Sequence, residues 1–171
     1  MKMESLRDLY IQELKDLYSA ETQILKALPK MAKAATHPEL QSAFEEHLDQ
    51  TRMQKARLEE IFEALGDSPR GKTCKGMKGI ISEGSDLLGE DAEPAVLDAG
   101  LIAAAQHVEH YEIAGYGCVR AYAELLGEHH AVTLLQQSLD EEETTDRKLT
   151  ALAGRLVNVD ANVDESATSR L

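Results

Sequence analysis

Cysteine, proline, aromatic residues and positive charge are all scarce in this sequence of 171 residues, and each scarcity excludes something. The two cysteines, Cys74 and Cys118, lie far apart and in no Cys-x-x-Cys spacing. That argues against a disulfide framework or a paired-cysteine metal site, and it fits a reducing, cytoplasmic setting. Cys118 reads most simply as a small buried hydrophobe on a helix beside the core. With 18 Lys and Arg against 31 Asp and Glu, the net charge is −13, so no nucleic acid is expected as a main partner. The one basic island, Arg70-Gly-Lys-Thr-Cys-Lys-Gly-Met-Lys78, reads as a solvated loop. No apolar run approaches the roughly 18 residues that span a membrane. The charged start Met1-Lys-Met-Glu-Ser-Leu-Arg-Asp8 lacks the apolar stretch of a secretory signal. Nothing alternates with the period of a strand, and β-branched residues do not cluster.

What is present is helical periodicity throughout, with 43% apolar and 29% charged residues, as in one globular domain. The first helix is predicted over about residues 5–33, with Leu6, Leu9, Tyr10, Leu14, Leu17, Glu21, Leu25 and Leu28 on one stripe. Pro29 within it predicts a kink or an early end, because proline removes a backbone donor. Thr36-His-Pro-Glu39 predicts a new start, capped by Thr36 with Pro38 in the first turn. The second helix should then carry Leu40, Phe44, His47, Thr51, Gln54, Leu58, Ile61 and Leu65 inward and stop at Gly66. Residues 67–92 form a long connection with a short helix near Met77 to Leu88. The third long helix opens at Asp91-Ala-Glu-Pro94 and ends near Leu126. The fourth runs from about His129 to Val157. Two helical hairpins joined by one long crossover give an all-α, ferritin-like four-helix bundle over residues 1–157. The polar, aperiodic stretch 158–171 reads as a flexible tail.

Against this pattern the inward acids stand out. Glu109 and Glu112 share the face that carries Ile102, Ala105, Tyr116 and Val119. Desolvating one carboxylate costs several kcal/mol, so two side by side need wet surroundings, shared protons or a cation. Glu21 is seven residues from both Leu14 and Leu28, and Glu142 is seven from both Leu135 and Leu149, with Asp146 one turn on. Inward acids on three helices form the pattern of a carboxylate-bridged metal site in a bundle. Spacing leaves Glu142 and Glu143 open: the first is better centred, the second stands three residues before Asp146. The second helix offers His47, with Gln50 one turn later, although a lone inward histidine is more often a satisfied core residue. Asp140 and Glu141 read as a solvated face, His107 and His110 as interfacial or exposed, and His129-His130 as polar. Such a site is rich in carboxylate and poor in histidine, which suits iron or manganese better than copper or zinc. Tyr116 lies on the Glu109 face, where it could hydrogen-bond a ligand or give up an electron; packing with a satisfied hydroxyl is the commoner outcome.

The segments Leu17-Tyr-Ser-Ala-Glu21, Ala43-Phe-Glu-Glu-His-Leu48, Ala103-Ala-Ala-Gln-His-Val-Glu-His-Tyr-Glu-Ile-Ala114 and Leu139-Asp-Glu-Glu-Glu-Thr-Thr-Asp146 resemble the YciF/YciE family of small ferritin-like bacterial stress proteins. The match covers about residues 3–157. The resemblance implies a dimerising bundle with a dinuclear iron or manganese site, its ligands being Glu21, Glu109, Glu112 and an acid pair from Glu142, Glu143 and Asp146. One departure stands out: the family pattern can carry Glu where this chain has Gln50. The second helix then contributes His47 alone, or Asp49 after a small rotation, which bears on occupancy of a second metal position. Two functions follow. One is a redox centre that reduces peroxide or oxygen, with electrons from a separate donor because no Cys-x-x-Cys module is present. The other is a non-enzymatic stress-induced homodimer in which metal is structural or absent.

Overall fold

The computed structural model describes residues 3–162, and among them there is no β-strand. Helix α1 spans Leu6–Ala34 and opens with a capping box. The Ser5 hydroxyl accepts from the Asp8 amide, and the Asp8 carboxylate accepts from the Ser5 amide at 2.9 Å. Pro29 neither kinks α1 enough to break it nor ends it. It stands on the exposed face, where water can serve the backbone group left without a partner. The inward stripe differs at one place, since Ile24 is buried and Leu25 only partly so.

Helix α2 spans Pro38–Leu65, and its cap is His37 rather than Thr36. The His37 ring accepts from the Glu39 amide at 3.2 Å. Thr36 is instead taken by buried Asp98 of the third long helix, whose carboxylate accepts from the Thr36 amide, the Thr36 hydroxyl and the His37 amide at 2.7–2.8 Å. One carboxylate from the second hairpin thereby fixes the turn of the first. Gly66 ends α2 with φ of 64°, a left-handed conformation that glycine adopts without steric cost.

Helix α3 (Lys75–Leu87) sits in the connection, beginning two residues before Met77, and is capped by the Cys74 thiol. Helix α4 spans Pro94–Leu125, and Gly127 at φ of 75° turns the chain into α5 (His129–Leu152). The helical path does not stop at Val157. It passes through a wide turn with π-type bonding, Ala153–Val157, into α6 (Asn158–Ala161). The rest of the expected tail, 163–171, lies outside the described residues.

Helix α1 packs on α2 and α4, and α5 packs on α4 and α2, so the long connection carries the chain from α2 across the diagonal to α4. Helix α3 lies over α1 and α4. The apolar core is in two parts. One surrounds Ile24, Leu28, Phe44, Met77, Leu101 and Leu149. The other surrounds Tyr10, Leu14, Leu58, Phe62, Tyr116 and Leu135. Between them every long helix buries polar side chains: Glu21 on α1, His47, Thr51 and Gln54 on α2, Glu109 and Glu112 on α4, and Ser138, Glu142 and Thr145 on α5. Cys118 is exposed rather than buried. Val119 and Tyr116 hold the inner face of α4, and the residue next to Val119 is turned about 100° away.

Replacing Asp98 by Ala removes the shared acceptor of two backbone amides and a hydroxyl at the partly exposed Thr36–His37 turn. The expected loss is about 2–4 kcal/mol of unfolding free energy by urea titration, with a smaller loss for Asp98→Asn. A loss below about 0.5 kcal/mol would mean that the inter-hairpin clamp does not matter.

Candidate metal centre

The polar layer exists because helix phase gives it no alternative. Glu21 follows Leu14 and Leu17 on the stripe of α1, and Glu109, Glu112 and Tyr116 recur at helical spacing on α4. All four glutamates are at most 1% exposed, and His47 is 2% exposed. Among the described residues no lysine or arginine is buried with them.

His47, Glu109 and Glu142 come together, each offering a ligand atom within 4.8 Å of the others. The His47 Nε2 is 3.2 Å from Glu109 Oε1 and 3.9 Å from Glu142 Oε2. The neighbouring groups hold the ring. Its Nδ1 lies 3.4 Å from the Gln50 amide oxygen and 3.4 Å from the Thr145 hydroxyl. An Nδ1–H given to Gln50 leaves Nε2 as a lone pair directed at the acids, the tautomer a metal-ligating histidine needs.

Glu21 accepts a short hydrogen bond from the Tyr116 hydroxyl, and Glu142 accepts one from the Gln54 amide. Beyond these, one oxygen each of Glu21, Glu109 and Glu142 and both oxygens of Glu112 are buried without a hydrogen-bond donor. Burial pushes the Glu21 carboxyl well above the usual range, the Glu142 charge adding to it while the Tyr116 bond opposes it. Burial also raises Glu109 well above that range, helped by hydrogen bonding to Glu142. Glu112 moves the same way, through burial and then the Glu21 and Glu142 charges. Tyr116 is raised too, by burial and the Glu21 charge, so its hydroxyl keeps its proton.

The layer is closed on one side by a lateral network. Arg57 of α2 holds Glu141 through two bonds of 2.7 and 2.6 Å and also donates to Ser138, while Gln54 bridges Glu141 and Glu142. Glu141 is therefore an anchored partner rather than part of a solvated face.

The other expected site residues are placed elsewhere. Glu143 is exposed and faces Arg147, because α5 can turn only one of two adjacent residues inward and that one is Glu142. Asp146 is partly buried at the edge, accepting from Gln106 at 3.0 Å and facing His110 at 3.3 Å. Asp49 is exposed and paired with Arg52. His110 is exposed, as the sequence predicts. Sequence reading named no role for Gln54, Arg57 or Thr145. The signal was present for two of them, since Gln54 is seven residues from His47 and Thr145 three from Glu142.

The fit to a cation rests on these unpartnered oxygens. Four ionised carboxylates against a neutral imidazole carry a charge that two divalent ions would balance, and oxygen donors with one nitrogen suit iron(II) or manganese(II). Without a cation, the raised glutamates must keep protons. Their folded-state pKa values exceed the unfolded ones, so stability is fully present at low pH and is lost as pH rises from the ordinary carboxylate range towards the folded values. Metal-free protein should therefore melt at lower temperature at pH 8 than at pH 5.5, and Glu112→Gln should flatten that slope in calorimetry. A slope unchanged by the substitution would show that Glu112 is not a source of it.

Residues 5–162 match the family described as Domain of unknown function (DUF892). Protein YciF of Escherichia coli K12 is 42% identical over 159 residues, spanning 92% of this chain and 96% of that protein. The crystal structure of the E. coli stress protein YciF superposes with a TM-score of 0.88 at 42% identity, covering 91% of this chain and 99% of that one. YcfI from Rhodopseudomonas palustris superposes with a TM-score of 0.84 at 43% identity, covering 87% of this chain and 95% of that one.

Proposed function

Since the chain belongs to the DUF892 family together with YciF, we propose that it is a stress-associated, ferritin-like protein whose mid-bundle layer holds a dinuclear iron or manganese centre. The observation that carries the reading is the set of buried carboxylate oxygens that lack any donor, in a layer where His47 Nε2 lies 3.2 Å from Glu109 and 3.9 Å from Glu142 and where, among the described residues, no lysine or arginine is buried. Glu21, His47, Glu109, Glu112 and Glu142 would hold the ions. Asp146, at the rim, is the remaining candidate, and Glu143 is not among them. When bound, the metals would supply redox chemistry toward peroxide or oxygen.

The chain's own groups do the rest. Gln50 and Thr145 orient His47, and Gln54 orients Glu142, so two ligands are fixed before any ion arrives. Tyr116 keeps its proton and donates it in a hydrogen bond to Glu21 Oε1, which orients that carboxylate. The two apolar core regions above and below exclude bulk water from the layer. With no Cys-x-x-Cys pair in the sequence, electrons would come from a separate protein. The same reading takes the protein to be cytoplasmic and homodimeric, and no helix among the described residues is long and apolar enough to cross a membrane.

Metal analysis after anaerobic loading with iron(II) or manganese(II) is the test. The expected result is about two ions per chain. At a hundredfold excess over Kd the melting temperature should rise by about 5–10 °C. Glu109→Gln should lose metal, and hydrogen peroxide turnover should follow metal content. Metal that raises the melting temperature without peroxide turnover would favour the non-enzymatic homodimer with structural metal. No metal under any loading would end the dinuclear reading and leave the non-enzymatic homodimer without metal.

A further inference from the structure

A cavity of about 230 Å³ lies between α1, α3 and α4. Its walls are mainly apolar: Ile24, Leu28 and Met31 from α1, Ile80 and Ile81 from α3, and Val108 from α4. Glu109, the residue 3.2 Å from His47 Nε2, also lines it, so the cavity reaches the polar layer from the side opposite the Arg57–Glu141 network. A water molecule's share of liquid volume is about 30 Å³, so the space exceeds what dioxygen or peroxide needs several times over.

Three lysines, Lys26, Lys30 and Lys78, belong to the same lining and are exposed. Among the described residues the lysine ion pairs are made by Lys15, Lys55 and Lys148, so Lys26, Lys30 and Lys78 are among the lysines without an acidic partner. In a chain of net charge −13, what distinguishes these three is that they line one apolar cavity together. Lys26 and Lys30 stand one turn apart on α1, where like charges repel, so an anion between them relieves a cost the helix already bears. The inner end presents the opposite preference, since a second carboxylate there would lose its water beside buried acids that have no donor to offer it.

We propose that this cavity binds a fatty-acid-like molecule, with its carboxylate at Lys26, Lys30 and Lys78 and its apolar chain running inward to Glu109. As a binding site the cavity stands independently of the metal. As the site of a substrate it rests on the dinuclear reading above, which would place the far end of the chain beside the reactive centre.

The test is calorimetric titration of the full-length protein, metal-free and manganese-loaded, with decanoate, decan-1-ol and decanedioate. Decanoate should bind one per chain, and the affinity should fall with added salt. Decan-1-ol, which lacks the charge, and, in the metal-free form, decanedioate, whose second carboxylate would be desolvated at the inner end, should each bind at least about tenfold more weakly, a modest difference in free energy. The Lys26→Gln, Lys30→Gln, Lys78→Gln triple variant should weaken decanoate by about the same factor. Ala27→Phe, which fills the cavity, should abolish binding at an unchanged melting temperature. Absence of saturable decanoate binding in both forms, or equal binding of decanedioate to the metal-free form, would overturn the proposal. Metal content is measured on the same samples, so a cavity that fails is told apart from a metal centre that fails.

Discussion

The glutamates buried at mid-height have to be reconciled with a dry interior, and the rest of the bundle is arranged around that constraint. Glu21, Glu109, Glu112 and Glu142 are each at most 1% exposed, and no buried lysine or arginine accompanies them. Desolvation and neighbouring charge oppose the ionisation of Glu21, Glu109 and Glu112, so the layer is tolerable with protons or with cations and intolerable bare. An apolar layer of the same volume would avoid this conflict, yet all four long helices contribute buried polar side chains to this one.

The surrounding structure limits how far the acids can move apart. Apolar clusters above and below hold the four helices at core packing distance. At Gly115, a Cβ would stand 2.7 Å from Leu17 Cδ2, so any larger residue there would force the Leu17 side chain to shift between α1 and α4. The Asp98 clamp ties α4 to the turn between α1 and α2, and Arg57 ties α2 to α5 through Glu141. Each of these cross-links joins helices that contribute a member of the layer. Access is uneven as a result: the Arg57 side is sealed by charged hydrogen bonds, while the α3 side opens into the cavity at Glu109.

The notable differences between sequence and structure share one origin. Periodicity identifies a face but not the exact angle at which it points. It could not separate Glu142 from Glu143, and it put Cys118 inside when a rotation of one residue puts it outside. It also credited Thr36 with capping α2, although that hydroxyl is taken by Asp98 more than sixty positions away. Glu141 was expected to be solvated because its partner, Arg57, lies on another helix.

The sequence by itself determined the helices, their hairpin connections, and the inward acids on α1, α4 and α5, because each depends on spacing within one helix or on a turn residue such as Gly66. Only the tertiary structure decided which acids meet, that His47 joins Glu109 and Glu142, that Gln50, Thr145 and Gln54 hold them, and that a lysine-rimmed cavity ends at Glu109. Those facts concern distances between helices, and the relative rotation of packed helices is set by side-chain interdigitation across the core rather than by any pattern along one chain segment.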